Sequence, residues 1–162
     1  MHRQQDCRKG FSLIELLIVV TIILIIAAIA IPNLMKNKMA ANETAAVEAL
    51  RTLNESAILY STTYGSFPHA IANLGPNQGS PNPTSAAADL IDSVLATGVK
   101  SGYRFAYNVG TTDPSGNVVS YSILASPVAP GQTGQRYFFT DQSGTIRANP
   151  TGSADSSSTP IG

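Results

Sequence analysis

The residue types in this chain that suggest chemistry sit at its beginning. Arg8-Lys9-Gly10 is followed by Phe11-Ser12-Leu13-Ile14-Glu15, and from Phe11 to Ile31 only Ser12, Glu15 and Thr21 are polar. A carboxylate in such a run costs roughly 2.5–3.5 kcal/mol on membrane-insertion scales, so Glu15 implies a function and a partner. The nearest candidate within the chain is the amino group that a cut after Gly10 would create on Phe11. Other chemistry is sparse. There is no Gly-x-Ser-x-Gly elbow, no phosphate-cradling loop and no zinc-ligand spacing. His69 is a lone loop histidine. Asp89 and Asp92 read as the polar face of a short helix. Asp113, Asn117 and Asp141 offer oxygens to calcium, but at no recognised ligand spacing, so no cofactor is expected.

The element that positions Glu15 is a helix. As a helix, Phe11–Ile31 is about 31 Å long, the thickness of a bilayer's hydrocarbon core. The basic residues before it fit a cytoplasmic end, which places the rest of the chain outside the cytoplasm. Formal charge is zero overall. The first ten residues hold three basic and one acidic side chain, and the remainder seven and nine. That distribution gives no electrostatic footprint for nucleic acid.

The run from Arg8 through Val20, continued by Ala27-Ala28-Ile29-Ala30-Ile31-Pro32, resembles the class III signal of type IV pilins and type II secretion pseudopilins. The resemblance is close over about 25 residues and looser beyond Pro32. It implies that prepilin peptidase cuts Gly10–Phe11 after the basic pair Arg8 and Lys9, and methylates the Phe11 amine. It also implies that Glu15 pairs with the Phe11 amine of a neighbouring subunit. The implied partners are inner-membrane lipid, then copies of the chain and other pilins or pseudopilins, with an inner-membrane assembly platform. Two other readings of the same residues stay open. One is a plain bitopic anchor presenting an extracytoplasmic binding module that does not polymerise. The other is a secretory signal peptide with Ala28-Ile29-Ala30 as its cleavage site, although the apolar run is longer than such peptides need. Cys7 is the only cysteine and lies in the leader, so the mature chain has no disulfide. Many type IV pilins close a C-terminal loop with a cysteine pair, so this favours pseudopilins or disulfide-free pilins.

Beyond the apolar run the helical pattern continues. Pro32 reads either as a helix boundary or, by the resemblance, as a kink that helps subunits pack. Val47, Leu50, Leu53, Ala57, Ile58 and Tyr64 make one apolar stripe, with Arg51 able to meet Glu48 and Glu55. Gly65 and Pro68 end the helix. The expected organisation is a cleaved leader over 1–10, a transmembrane and assembly helix over 11–32, and its amphipathic continuation over 33–64. A loop and short helix follow over 65–100, with Ser85 as its cap and Gly98 its close. An antiparallel sheet of about four strands occupies 101–148, and a loose tail 149–162. The fold class is α+β, pilin-like: a long N-terminal helix packed on a small sheet.

Overall fold

The computed structural model describes residues 11–79 and 82–161. Arg8, Lys9, Gly10, Cys7 and His2, and with them the leader and its cleavage bond, lie outside the described residues. The chain divides into two units, one through Asn37 and the other from Lys38 onward. Helix α1, Leu13–Tyr64, contributes to both, and Pro32 lies inside it.

The unit from Lys38 holds the core. α1 ends where the chain turns left-handed at Gly65 (φ 76°), whose N–H donates to the Ser61 carbonyl. A 3-10 turn, Ile71–Leu74, follows, then the four-residue helix α2, Ser93–Ala96. The sheet contains six strands rather than the expected four: β1 Val99–Lys100, β2 Tyr103–Val109, β3 Tyr121–Pro127, β4 Tyr137–Asp141, β5 Arg147–Asn149 and β6 Thr159–Pro160. They pair in sequence order and antiparallel throughout. The added strands are the two edges, each two residues long. The residues expected to form a loose tail therefore supply β6, and Ala154 among them is buried.

Strand alternation builds the inner face. In β3, Tyr121, Ile123, Ala125 and Pro127 are buried while the residues between them are half-exposed. One row across the sheet runs Phe105, Ala125, Phe138, Ala148 by direct register. Alternating bulk and small side chains let a helix settle into the row. α1 presents Ala46, Ala49, Leu50, Leu53, Ala57 and Tyr60 to the same core. Ile58, expected in the stripe, is 49% exposed, because it lies about 100° around the helix from Ala57. Tyr107 stacks on Tyr121 with ring centroids 5.4 Å apart, a diagonal cross-strand pair.

The segment expected as a helix from Ser85 is mostly extended. The Ala88 N–H donates to Asn73 O, Asp89 to Gly75 O, and Leu90 and Ile91 to Leu74 O. These backbone bonds to the 3-10 turn replace helical ones. Asp89 sits at φ 54°, off any helix. Asp92 caps α2, accepting from Leu95 N at 2.9 Å and pairing with Lys100 at 2.8 Å.

Candidate assembly segment

Ser12-Leu13-Ile14-Glu15 opens α1 as one half of a capping box. The Glu15 Oε2 accepts the Ser12 N–H at 3.0 Å, and the Ser12 carbonyl receives the Glu15 and Leu16 N–H groups at 3.1 and 3.3 Å. This local tie satisfies one orphan donor of the helix start and holds the carboxylate beside the chain's N-terminal side. The Oε1 atom has no partner among the described residues. Ser-x-x-Glu ahead of an apolar run is a readable signal for this tie.

Among the other side chains of the segment none needs a polar partner from outside. The Thr21 hydroxyl donates to the Leu17 carbonyl at 2.7 Å. Pro32 brings no N–H, which leaves the Ala28 carbonyl without its helical donor. All seventeen large apolar side chains from Phe11 to Met35 are at least 45% exposed. Leu13, Leu16, Leu17, Val20, Thr21 and Leu24 line a shallow groove along one side of the helix. Of the described helices, only α1 is long and apolar enough to cross a membrane, and its apolar window is wholly unburied. Half burial of an aliphatic side chain is worth about 1 kcal/mol, so seventeen amount to roughly 15–20 kcal/mol. That matches or exceeds the 5–15 kcal/mol that holds a whole domain together. This surface cannot stay in water.

The second half of α1 is tied to the β3–β4 segment and to the sheet by two polar residues, Glu43 and Asn54, to which the sequence pattern gave no role. Glu43 is 8% exposed. Its Oε1 accepts the Gln135 and Arg136 N–H groups at 2.9 and 3.2 Å, and its Oε2 accepts Arg136 Nε at 2.7 Å. Burial pushes this carboxyl up, but the backbone donors and the guanidinium outweigh it and hold it below its ordinary value. Asn54, also buried, donates through Nδ2 to Thr140 Oγ1 at 2.7 Å and accepts from the Tyr121 hydroxyl at 3.1 Å. Burial and the nearby Asp141 push that hydroxyl up to about 12. Glu43 lies seven residues before Leu50, and Asn54 lies four after Leu50 and three before Ala57, so both share the face of the apolar stripe, a spacing that could have revealed them. Arg51 meets Glu48 at 3.0 Å, and no ion pair joins it to Glu55 among the described residues.

The two aspartates considered for calcium accept hydrogen bonds within their own turns. Asp113 accepts from Ser115 N, Asn117 N and Asn117 Nδ2, and Asp141 accepts from Ser143 N. No group of three metal-ligating side chains occurs among the described residues. His69 is exposed and lines a cleft with Tyr60, Tyr64 and Asn117.

The prokaryotic N-terminal methylation motif matches residues 6–31, the stretch that contains the basic pair, the glycine, Glu15 and most of the apolar run. Over less than half of its length this chain is similar to type IV pilus and type II secretion proteins. The type IV wide pilus major component of Thermus thermophilus is 41% identical over 70 residues, which are 41% of this chain and 53% of that protein. Type II secretion system core protein G of Escherichia coli is 33% identical over 66 residues, 41% of this chain and 46% of that protein. A fimbrial protein of Pseudomonas aeruginosa is 54% identical over 55 residues, 32% of this chain and 36% of that protein. The chain thus spans about half the length, or less, of the curated relatives it matches. The pilin-like architecture, a long N-terminal helix on an antiparallel sheet, stands on the structure itself.

Proposed function

We propose that this chain is a structural subunit of a type IV pilus-like filament or type II secretion pseudopilus, acting by assembly rather than by catalysis. In this reading prepilin peptidase removes residues 1–10 and methylates Phe11. α1 then holds the subunit in the membrane, with its Phe11 end on the cytoplasmic side and the unit from Lys38 outside. The observation that carries the reading is a methylation motif joined to an apolar helix segment that the rest of the described chain leaves uncovered. Lipid covers that surface first. Leaving lipid is favourable only when helices of other subunits cover it instead, with the energy for extraction supplied through an assembly platform.

Glu15 gives the transfer its specificity. A carboxylate with one free oxygen, at the end of an apolar rod, is penalised in any apolar bundle that offers no cation. The Phe11 amine of a neighbour removes two isolated charges in one contact. Pro32 then serves as the place where the helix adapts to packing, because its ring and missing donor already weaken the ladder there. The relatives include both pilus and secretion proteins, and polymerisation through the N-terminal helix is the property proposed here.

Mass spectrometry of the native protein's N-terminus tests this. The expected chain begins at Phe11 and carries one added methyl group. A chain beginning at Met1 would instead support the bitopic binding module, and one beginning at Ile31 a secretory signal peptide.

A further inference from the structure

α1 ends in a pair of tyrosines, Tyr60 and Tyr64, four residues apart on one face of the helix. Their ring centroids are 4.6 Å apart and their planes are tilted by 47°. With His69, Asn73, Ser85 and Asn117 they line an open cleft of about 360 Å³. That lies within the roughly 300–1,000 Å³ typical of small-molecule sites. We propose that this cleft binds a neutral sugar, with one pyranose ring against Tyr64 and its hydroxyls met by the polar groups around it. Three observations carry this, and none depends on filament assembly.

The first is the absence of charge. No acidic side chain, lysine or arginine occurs among the described lining residues. A phosphate, a carboxylate or a metal ion would find no partner for its charge there. A wholly apolar ligand would cover polar groups that water now serves. The class that fits is an uncharged molecule with both an apolar face and hydroxyl groups. A pyranose has C–H groups on its faces and hydroxyls around its rim. Tyr60 is buried beneath the cleft and Tyr64 is half-buried, so Tyr64 offers the reachable ring. A tyrosine supplies an apolar face and a polar tip in one side chain.

The second is unused hydrogen-bonding capacity. The Tyr64 hydroxyl, both ring nitrogens of His69, Ser85 Oγ and Asn117 Oδ1 make no hydrogen bond among the described residues. Donors and acceptors are both present in that set. Sugar hydroxyls need both, because each hydroxyl donates and accepts.

The third is that the walls are fixed before any ligand arrives. The Tyr60 hydroxyl donates to the Ser85 carbonyl at 2.6 Å, tying α1 to the segment opposite. The Val118 N–H donates to Ser66 Oγ at 2.8 Å, and the Phe67 N–H donates to the Val118 carbonyl at 3.0 Å. These two bonds hold the turn after α1 beside Asn117. Asn117 Nδ2 in turn donates to Asp113 Oδ2 at 2.9 Å, and Asn73 Oδ1 accepts the Ala70 N–H at 2.9 Å. A site ordered in advance loses little affinity to the ordering of its own side chains.

Saturation-transfer NMR on the full-length chain in dodecylphosphocholine micelles tests this. The probes are the methyl glycosides of glucose, galactose and mannose, with glucuronic acid as the charged control. At least one neutral glycoside should bind with a Kd of about 1 mM. Transfer should be strongest to ring C–H protons on one face of the sugar, and the Tyr64 ring resonances should shift. Glucuronic acid should bind more weakly than that glycoside. Tyr64→Ala should weaken binding about tenfold or more, as loss of a central aromatic contact does. His69→Ala changes an exposed loop residue and should weaken binding about threefold, the loss of one hydrogen bond. Should Tyr64→Ala fail to fold, His69→Ala decides. No transfer to any neutral glycoside at about ten times that concentration would overturn the proposal. So would binding that His69→Ala leaves unchanged, or glucuronic acid binding as tightly as the neutral sugars. Tyr64 shifts that follow protein concentration rather than sugar would assign the cleft to a second copy of the chain, and would equally overturn it.

Discussion

Asn54→Leu removes the one side chain that bonds both Thr140 and Tyr121 from α1, and its cost can be worked from the geometry. Thr140 is fully buried and Tyr121 is 2% exposed, so water cannot replace the lost bonds. Asn54 is their side-chain partner at 2.7 and 3.1 Å. Leaving a buried hydroxyl unpaired costs about 1–3 kcal/mol, so two give about 4 kcal/mol. Leucine branches at Cγ as asparagine does but is larger, so no cavity forms, and any overpacking adds to this loss. For a domain of this size the melting temperature should fall by about 12–20 °C. Thermal unfolding of a soluble fragment beginning at Lys38, followed by circular dichroism, reads the shift. Adding Thr140→Val to Asn54→Leu should recover about 1–2 kcal/mol, because the second substitution deletes an orphaned group. A loss below about 0.5 kcal/mol for Asn54→Leu, or strictly additive losses in the double variant, would refute the reasoning. Either result would mean that the network is wet or that the helix is held by apolar contact alone.

Three further outcomes are expected. Glu15→Gln should raise the amount of subunit held in the membrane and cut filament yield about 100-fold or more, since an unpaired buried cation costs about 3–5 kcal/mol; wild-type yield of sheared filaments would remove the pairing. Gly10→Val should accumulate the unprocessed chain on an immunoblot, because a β-branched side chain crowds the Gly10–Phe11 bond, and normal maturation would contradict the peptidase assignment. The folded Glu43 carboxyl is held below its unfolded value of about 4.3. Its contribution is therefore complete above that value and is lost as pH falls through the lower folded one. Glu43→Gln should flatten the acid limb of the fragment's stability curve. Arg136 is half-exposed, so salt should weaken only its share of the effect.

How much of this was legible in the sequence depended on how local the cause was. α1 is bounded by residues whose backbone rules act alone, Ser12 at its start and Gly65 and Pro68 at its end, and its expected span was close to the observed one. β2, β3 and β4 declared themselves by alternation. β1 and β6 are too short to alternate and exist because β2 and β5 offer them an edge. The segment from Ser85 has helix-forming alanines and apolar spacing, yet its N–H groups go to the 3-10 turn at Ile71–Leu74, a tertiary choice that propensity cannot register. Glu43 and Asn54 carried no signal of their own for a related reason. Polar residues on an apolar stripe look like a solvated face until the β3–β4 segment and the Thr140 and Tyr121 hydroxyls arrive to meet them. For the assembly segment the reverse held. Its partners are outside the folded chain, so composition and spacing carried nearly all the information, and the structure added chiefly the Ser12–Glu15 tie and the bareness of the helix.

The most direct test of the central claim is to ask what touches the apolar helix before and after assembly. A photo-reactive side chain placed at Leu17 should form adducts with lipid in the membrane fraction and with other copies of the chain in sheared filaments. Lipid adducts alone in every fraction, with no cross-linked copies and no polymer, would contradict the account.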